Sequence, residues 1–355
     1  MSTFLESGVS FLFQSRRAGW NANIRSELIK FISETKHSLH CSIYDLRDPE
    51  VIDALKKLRQ KGNIDLQIAY DAGKEQKENI SADPKPPGTK ELLEQAGLGE
   101  ISTAIHEGGH LMHDKFLVRD GTHLWTGSAN FTPGGFDLQD NNCLYMSSPK
   151  LVANYQKVFE DLLNPDHKSR HKSGDPVVPA TPIAVGNMNI TAYFTPSGGE
   201  DIEKAIISEL AGARRVRVLV MVMSDKGILN ALLRFRGSEF DIKGVYDSSQ
   251  MANAKKKSNK DPSLYWFMDD LRFVAAQSHP YKKEVESNFM HNKVLVINND
   301  TIITGSYNLS ENAEANDENL LIIKSSSVAA AYTRYFDAIH SHPEFPHVSS
   351  AAASS

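Results

Sequence analysis

A chain of 355 residues, 40% of them hydrophobic, can bury one large core or two fused ones, which excludes a wholly disordered protein. A formal charge of −5 supplies no global attraction to a polyanion, and two cysteines, Cys41 and Cys143, offer no disulfide framework. No run of about eighteen apolar residues occurs, and Met1 to Trp20 holds Glu6, Gln14 and Arg16 without an apolar signal core, so a cytoplasmic protein with no transmembrane segment is expected.

The elements run in two matching series. Val9 to Phe13 reads as an opening strand, Ile24 to Ile32 as a helix by its apolar period, and Ser38 to Tyr44 as an apolar strand. An amphipathic helix over Val51 to Leu58 and a strand closing in Tyr70-Asp71 follow, then a lysine-bearing loop from Lys74 to Lys90. Strands over Phe116 to Val118 and His123 to Thr126 complete the series. Between Asn164 and Gly186, four prolines among charged and small residues mark a linker that sustains neither a helix nor a central strand. Its Lys168, Arg170 and Lys172 read as solubilising charges. The series then restarts with Ile190 to Phe194, Ile202 to Leu210, Val216 to Val222, Ile228 to Phe235, and a strand ending in Tyr246-Asp247. Tyr265-Trp266-Phe267, at helix period with Leu264 and Met268, reads as core. Val294 to Ile297 and Thr301 to Thr304 are the closing strands. The βαβ order and the near-continuous apolar strands predict an α/β fold of mixed sheets flanked by helices. The divisions expected are 1–163, a linker at 164–187, 188–345, and a disordered tail at 346–355.

The polar residues repeat as closely as the apolar ones. His113-Asp-Lys115 with Asp120, Gly127-Ser128 and Asn130 recurs 178 residues later as His291-Asn-Lys293 with Asn298, Gly305-Ser306 and Asn308. Asp140-Asn141 and Glu318-Asn319 follow, each at the same distance from its histidine. A structural repeat needs only its apolar pattern; a doubled polar set points to paired chemistry. In each copy the alternation His, x, Lys opens a β-run, so both side chains face the same way. Asp120 and Asn298 lie about 20 Å along the chain from their histidines and read as backbone-capping groups, a role Asp and Asn share.

These residues resemble the HxKxxxxD and GSxN motif pair of the phospholipase D superfamily, over nearly the whole chain. The resemblance implies a pseudo-twofold duplicated fold with one active site where the halves meet. It also implies phosphodiester cleavage through a phosphohistidine, without a metal or other cofactor. His113 and His291 are the expected nucleophile and general acid, with His113 favoured as the nucleophile. Lys115, Lys293, Asn130 and Asn308 are expected around the phosphate, and Ser128 and Ser306 as substrate-binding donors. Asp140 and Glu318 are the expected orienting carboxylates. The family's habit of borrowing this group from the other half would pair His113 with Glu318 and His291 with Asp140; pairing within each half stays open.

The substrate is read from charge placement. Lys255, Lys256, Lys257 and Lys260, with the lysine loop of the first half, favour a nucleic acid over a phospholipid and hence a nuclease; with both halves in one chain, a monomer is expected. A phospholipase D or transphosphatidylase is the alternative, and a catalytically silent nucleic-acid-binding protein a second. His106-Glu107-Gly-Gly-His110 matches a zinc-protease pattern, but Gly108-Gly109 disfavours the helix that pattern needs, so no metal site is expected.

Overall fold

The computed structural model describes residues 2–72, 87–105, 110–257, 261–279, 286–342 and 344. Most of the Lys74 to Lys90 loop, residues 106–109, Lys260 and the expected tail at 346–355 lie outside the described residues.

The first half contributes β1 (Thr3–Glu6), β2 (Val9–Ser15), β3 (Trp20–Asn21), β4 (Ser38–Ile43), β5 (Asp65–Asp71), β6 (Ser102–Ile105), β7 (Lys115–Arg119), β8 (His123–Gly127) and β9 (Asn141–Ser147). They form one sheet in the order β1-β2-β9-β8-β7-β4-β5-β6, with β3 on β2. The second half contributes β10 (Ile183–Val185), β11 (Met188–Phe194), β12 (Arg215–Val220), β13 (Asp241–Asp247), β14 (Phe273–Ala276), β15 (Lys293–Ile297), β16 (Thr301–Gly305) and β17 (Asn319–Lys324). Their order, β10-β11-β17-β16-β15-β12-β13-β14, repeats the first. In both sheets the β4–β5 or β12–β13 pair is parallel and the β7 or β15 strand antiparallel to both neighbours. The expected duplicated α/β fold with mixed sheets is therefore what forms.

Helices Pro149–Leu162 and Ser326–Ser341 lie between the two sheets. Their Tyr155, Tyr332, Tyr335 and Phe336 join Phe11, Phe13, Phe116, Val294 and Val296 in a core drawn from both halves. Each outer sheet face carries its own core, one under helices Ile24–Ser33 and Pro49–Gln60, the other under Gly199–Ala211 and Lys226–Leu232. With helices on both faces, β7 and β15 are buried at every residue, which is why their sequences show no alternation. Burial of each large apolar side chain contributes about 1.5–3 kcal/mol. Tyr265, Trp266 and Phe267 are core, as their spacing predicts. Cys41 and Cys143 are free and fully buried, and burial pushes both thiols up, Cys143 to about 12.

Asp48 caps the helix Pro49–Gln60 by accepting from the amides of Glu50 and Val51, and Pro49 supplies the first-turn geometry. Asp225 caps Lys226–Leu232 through the amide of Ile228. The span read as a linker is more firmly held than its prolines suggest. Ile183–Val185 forms an edge strand on β11. His167 is buried between Asp161 (2.9 Å) and Asp317 (2.8 Å), Arg170 also pairs with Asp161, and Lys172 reaches Glu314 at 2.6 Å. Of the three charges read as solubilising, two are therefore anchors.

Burial disfavours charge on the His167 imidazole, but Asp317 and Asp161 outweigh it and hold the ring up to about 8. Since that value lies above the ordinary one of about 6.5, the interaction stabilises the fold fully below about pH 6.5 and is lost as pH rises through about 8. His167→Gln is expected to flatten the fall in urea-denaturation free energy across this window. An unaltered pH profile would show that His167 titrates as it does in the unfolded chain.

Candidate active site

The two halves are clipped together at the motif histidines. The amide of His113 donates to the carbonyl of Asp317 (2.8 Å) and that of His291 to the carbonyl of Asp140 (3.0 Å), inside short parallel bridges Met112–Asp317 and Asp140–Met290. Asp71 and Asp247, which close β5 and β13, accept from the amides of Met112 (2.9 Å) and Met290 (3.0 Å), so each fixes the residue just before a histidine. The repeated Tyr-Asp dipeptide was their only mark in the sequence.

Lys115 and Lys293 open β7 and β15, and each ammonium donates to the carbonyl of its own motif histidine. Asp114 and Asn292 between them face the other way, as the strand period requires. There Asn319 donates to Asp114 (2.7 Å) and Asn142 to Asn292 (2.8 Å). Thr126 and Tyr155 donate to the Asn319 oxygen, Thr304 and Tyr332 to that of Asn142. This buried, fully crossed network fixes the relative placement of the two HxK strands.

The ring nitrogens distinguish the two histidines. His113 Nδ1 lies 2.7 Å from Glu318 Oε2, across the interface as the resemblance implies. His291 Nδ1 lies 2.9 Å from Asn141 Oδ1, not from Asp140. The Asn141 amide is oriented by its own donation to the carbonyl of Gly135 (2.9 Å), which leaves its oxygen toward His291. Asp140 is bound instead by Arg17 at 2.6 Å, and both side chains are wholly buried. The expected His291–Asp140 pair is corrected for a physical reason: the segment after Asn130 is one residue longer than that after Asn308, so Asn141 stands where Glu318 does, and Asp140 where Asp317 does.

Buried charge concentrates around Glu318. Burial pushes its carboxyl well up, opposed by the ammonium groups of Lys115 and Lys293. Burial and then Lys115 push Lys293 well down, opposed by Glu318. One carboxylate thus interacts with lysines from both halves, and the two motif strands converge on it. Tyr44, unnoticed in the sequence, packs its ring edge-on to His113 at 4.7 Å and under the Lys115 ammonium at 4.9 Å.

Gly127 and Gly305, at φ of 153° and 151°, pass so close to the carbonyls of Asn142 and Asn319 that a Cβ would collide. The serines after them, expected as substrate donors, are fully buried and engaged within the protein. Ser128 Oγ donates to Asn141 Oδ1 (2.7 Å) and accepts from the amide of Asn142; Ser306 Oγ accepts from that of Asn319. They brace the residues that orient the histidines. Asn130 and Asn308 keep a buried side-chain oxygen without a hydrogen-bond partner among the described residues. Asp120 and Asn298 sit in left-handed turns, at φ of 52° and 51°, and cap the amides opening β4 and β12, including His37 (2.7 Å) and Arg214 (2.9 Å). The Asp-to-Asn difference therefore leaves the site untouched.

Lys255, Lys256 and Lys257 form the exposed last turn of helix Ser248–Lys257. Lys257 lines a cavity of about 450 Å³ with Lys226, Gln250, Tyr265 and Ser310, two residues beyond Asn308. No helix among the described residues is long and apolar enough to cross a membrane.

The domain described as "Cardiolipin synthase, PLD-like domain" matches residues 28–163 and again 206–340. A mitochondrial cardiolipin hydrolase of Chlamydomonas reinhardtii is 25% identical over 139 residues, 39% of this chain and 56% of that protein. A phospholipase D of Rickettsia typhi is 30% identical over 146 residues, 41% of this chain and 64% of its own length. The chain thus spans less than two thirds of the curated relatives it matches. A phosphatidylserine synthase of Haemophilus influenzae Rd KW20, only 12% identical, superposes with a TM-score of 0.69 over 96% of this chain and 88% of that one, a likeness of fold. Matched over both of its repeats, the chain belongs to the phospholipase D superfamily.

Proposed function

We propose that this protein cleaves or exchanges the headgroup of phospholipids, with His113 as nucleophile and His291 as general acid and base. The observation that carries the assignment of roles is the unequal pairing of the two Nδ1 atoms. A carboxylate partner stabilises positive charge on an imidazole more than an amide oxygen does. His113 beside Glu318 is the ring better suited to carry phosphorus as a cationic adduct; His291 beside Asn141 is the readier proton donor.

In the first step His113 Nε2 forms a bond to phosphorus as the phosphorus–oxygen bond to the headgroup breaks, and His291 gives its proton to the departing alkoxide. In the second, His291 takes a proton from water or an acceptor alcohol, whose oxygen bonds to phosphorus as the phosphorus–nitrogen bond breaks. Lys115, Lys293, Asn130 and Asn308 hold the phosphoryl oxygens, the place a metal fills in other phosphodiesterases.

Lysine placement alone favours a nucleic acid, but the relatives named for cardiolipin and phospholipids support a lipid, and we adopt that reading. Vesicles of cardiolipin and phosphatidylcholine, single-stranded DNA, duplex DNA and RNA compared at one enzyme concentration test it. Phospholipid turnover is expected to exceed nucleic-acid cleavage and to survive EDTA. Faster cleavage of DNA or RNA would reverse the substrate reading; loss of turnover in EDTA while the chain stays folded, restored by added metal, would overturn the lysine and asparagine roles.

A further inference from the structure

The repeat exposes one place where the halves differ in charge rather than in shape. In the first half, Arg25 on helix Ile24–Ser33 joins Asp48, the cap of helix Pro49–Gln60, at 2.8 Å and Asp137 at 2.6 Å, with Glu50 at 3.6 Å. The equivalent positions are readable from the backbone. Glu203 follows the buried Ile202 as Arg25 follows Ile24; Asp225 caps its helix as Asp48 does; Glu314 stands three residues before Asp317 as Asp137 stands before Asp140. Both carboxylate corners are retained, while the arginine corner has become a third carboxylate. Glu50 has become Gly227, and a Cβ there would collide with the Glu203 carboxylate. That glycine makes room for the inverted charge.

We propose that Glu203, Asp225 and Glu314 bind a divalent cation, calcium or magnesium, in the position that the Arg25 guanidinium holds in the other half. Each offers an oxygen, all within 4.8 Å of one another. An all-oxygen carboxylate set selects hard cations. Two further atoms point to a ligand. Asp225, wholly buried, keeps its Oδ2 without a hydrogen-bond partner among the described residues, and so does the hydroxyl of Tyr307, which is 1% exposed and has Asp225, Glu314, Glu318 and Glu203 as its charged neighbours. Lys172 reaches Glu314 at 2.6 Å, with a side chain 41% exposed. Three negative charges against that one positive leave the charge of a divalent ion to be matched. The ion would tie helix Gly199–Ala211, helix Lys226–Leu232 and the turn Ala313–Ala315 to one another, beside Tyr307 of the Gly305-Ser306-Tyr307-Asn308 turn.

The rival arrangement is a proton shared among the three carboxylates, since burial pushes Asp225 up to about 6 and Glu314 up as well. Thermal unfolding of the EDTA-stripped full chain separates them, with calcium or magnesium chloride added and sodium chloride matching ionic strength. At about pH 8, a hundredfold excess of ion over its dissociation constant is expected to raise the midpoint by about 3–6 °C. Glu203→Arg, which copies the first half, is expected to raise the ion-free midpoint and remove the response. Glu203→Gln is expected to remove the response too, and serves if the arginine variant does not fold. No midpoint shift with either ion in the wild type, or an undiminished shift in Glu203→Gln, overturns the proposal. Stabilisation by acid without any divalent response would establish the shared proton instead.

Discussion

Replacing either His113 or His291 with alanine is expected to lower turnover by about 10⁴-fold or more, and replacing both to lower it little further. The strong non-additivity follows from the geometry. Each histidine is oriented by a residue of the opposite half, Glu318 for His113 and Asn141 for His291, and each donates its amide across the same interface. Groups that act in one reaction coordinate lose most of their joint effect when either is removed. Initial rates with bis-(p-nitrophenyl) phosphate check this. Two variants that each keep about half the wild-type rate would mean two independent sites.

Arg17→Met is expected to cost about 3–5 kcal/mol of stability, because it strands a wholly buried Asp140 carboxylate. The guanidinium also donates to the carbonyls of Gln277 (2.9 Å) and Asn288 (3.1 Å), so one side chain of the first half holds a strand end and a loop of the second. Burial already pushes Asp140 up to about 6, with Arg17 opposing. Without Arg17 that value rises further. A carboxyl whose folded value is raised binds its proton more tightly folded than unfolded, so stability falls as pH rises from about 4 through the raised value. The loss in Arg17→Met is therefore expected to be greater at pH 8 than at pH 5. Urea denaturation at the two pH values measures it, and Arg17→Met/Asp140→Leu is expected to recover much of the loss. An equal loss at both pH values would mean that Asp140 is not what the arginine stabilises.

The duplication was legible because both the apolar periods and the polar motif recur, so β2, β4, β5, β7 and β8 with their counterparts β11, β12, β13, β15 and β16, the two HxK pairs and the capping roles of Asp120 and Asn298 are readable from the sequence, whereas β9 and β17, which follow the motifs, are not. The orienting groups could be placed only in part. Matching acid to acid aligned Asp140 with Glu318, whereas one extra residue around the turn Pro133–Asp137 shifts the backbone register and brings Asn141 to the histidine. A single-residue slip is invisible when neighbouring residues are an acid and an amide in both copies. Arg17 and His167 were unreadable for a different reason. They neutralise equivalent carboxylates, Asp140 and Asp317, from unrelated places in the chain, one in the turn after β2 and the other in the connecting segment, so no repeat marks them. The bracing contacts of Ser128 and Ser306 were unreadable because hydrogen-bonding capacity is legible in a sequence and the partner at a turn is not.

The covalent adduct is the most direct test of the two-histidine account. A short-chain phosphatidyl ester of p-nitrophenol, labelled in the phosphatidyl group, needs little acid assistance to release its leaving group. Rapid acid or base quench of wild type and His291→Ala, followed by peptide mapping, is expected to place label on the peptide containing His113, with a nitrophenolate burst that the variant retains before stalling. Label on His291 with none on His113, or a burst and adduct retained in His113→Ala, would contradict the assignment of the nucleophile to the carboxylate-paired histidine.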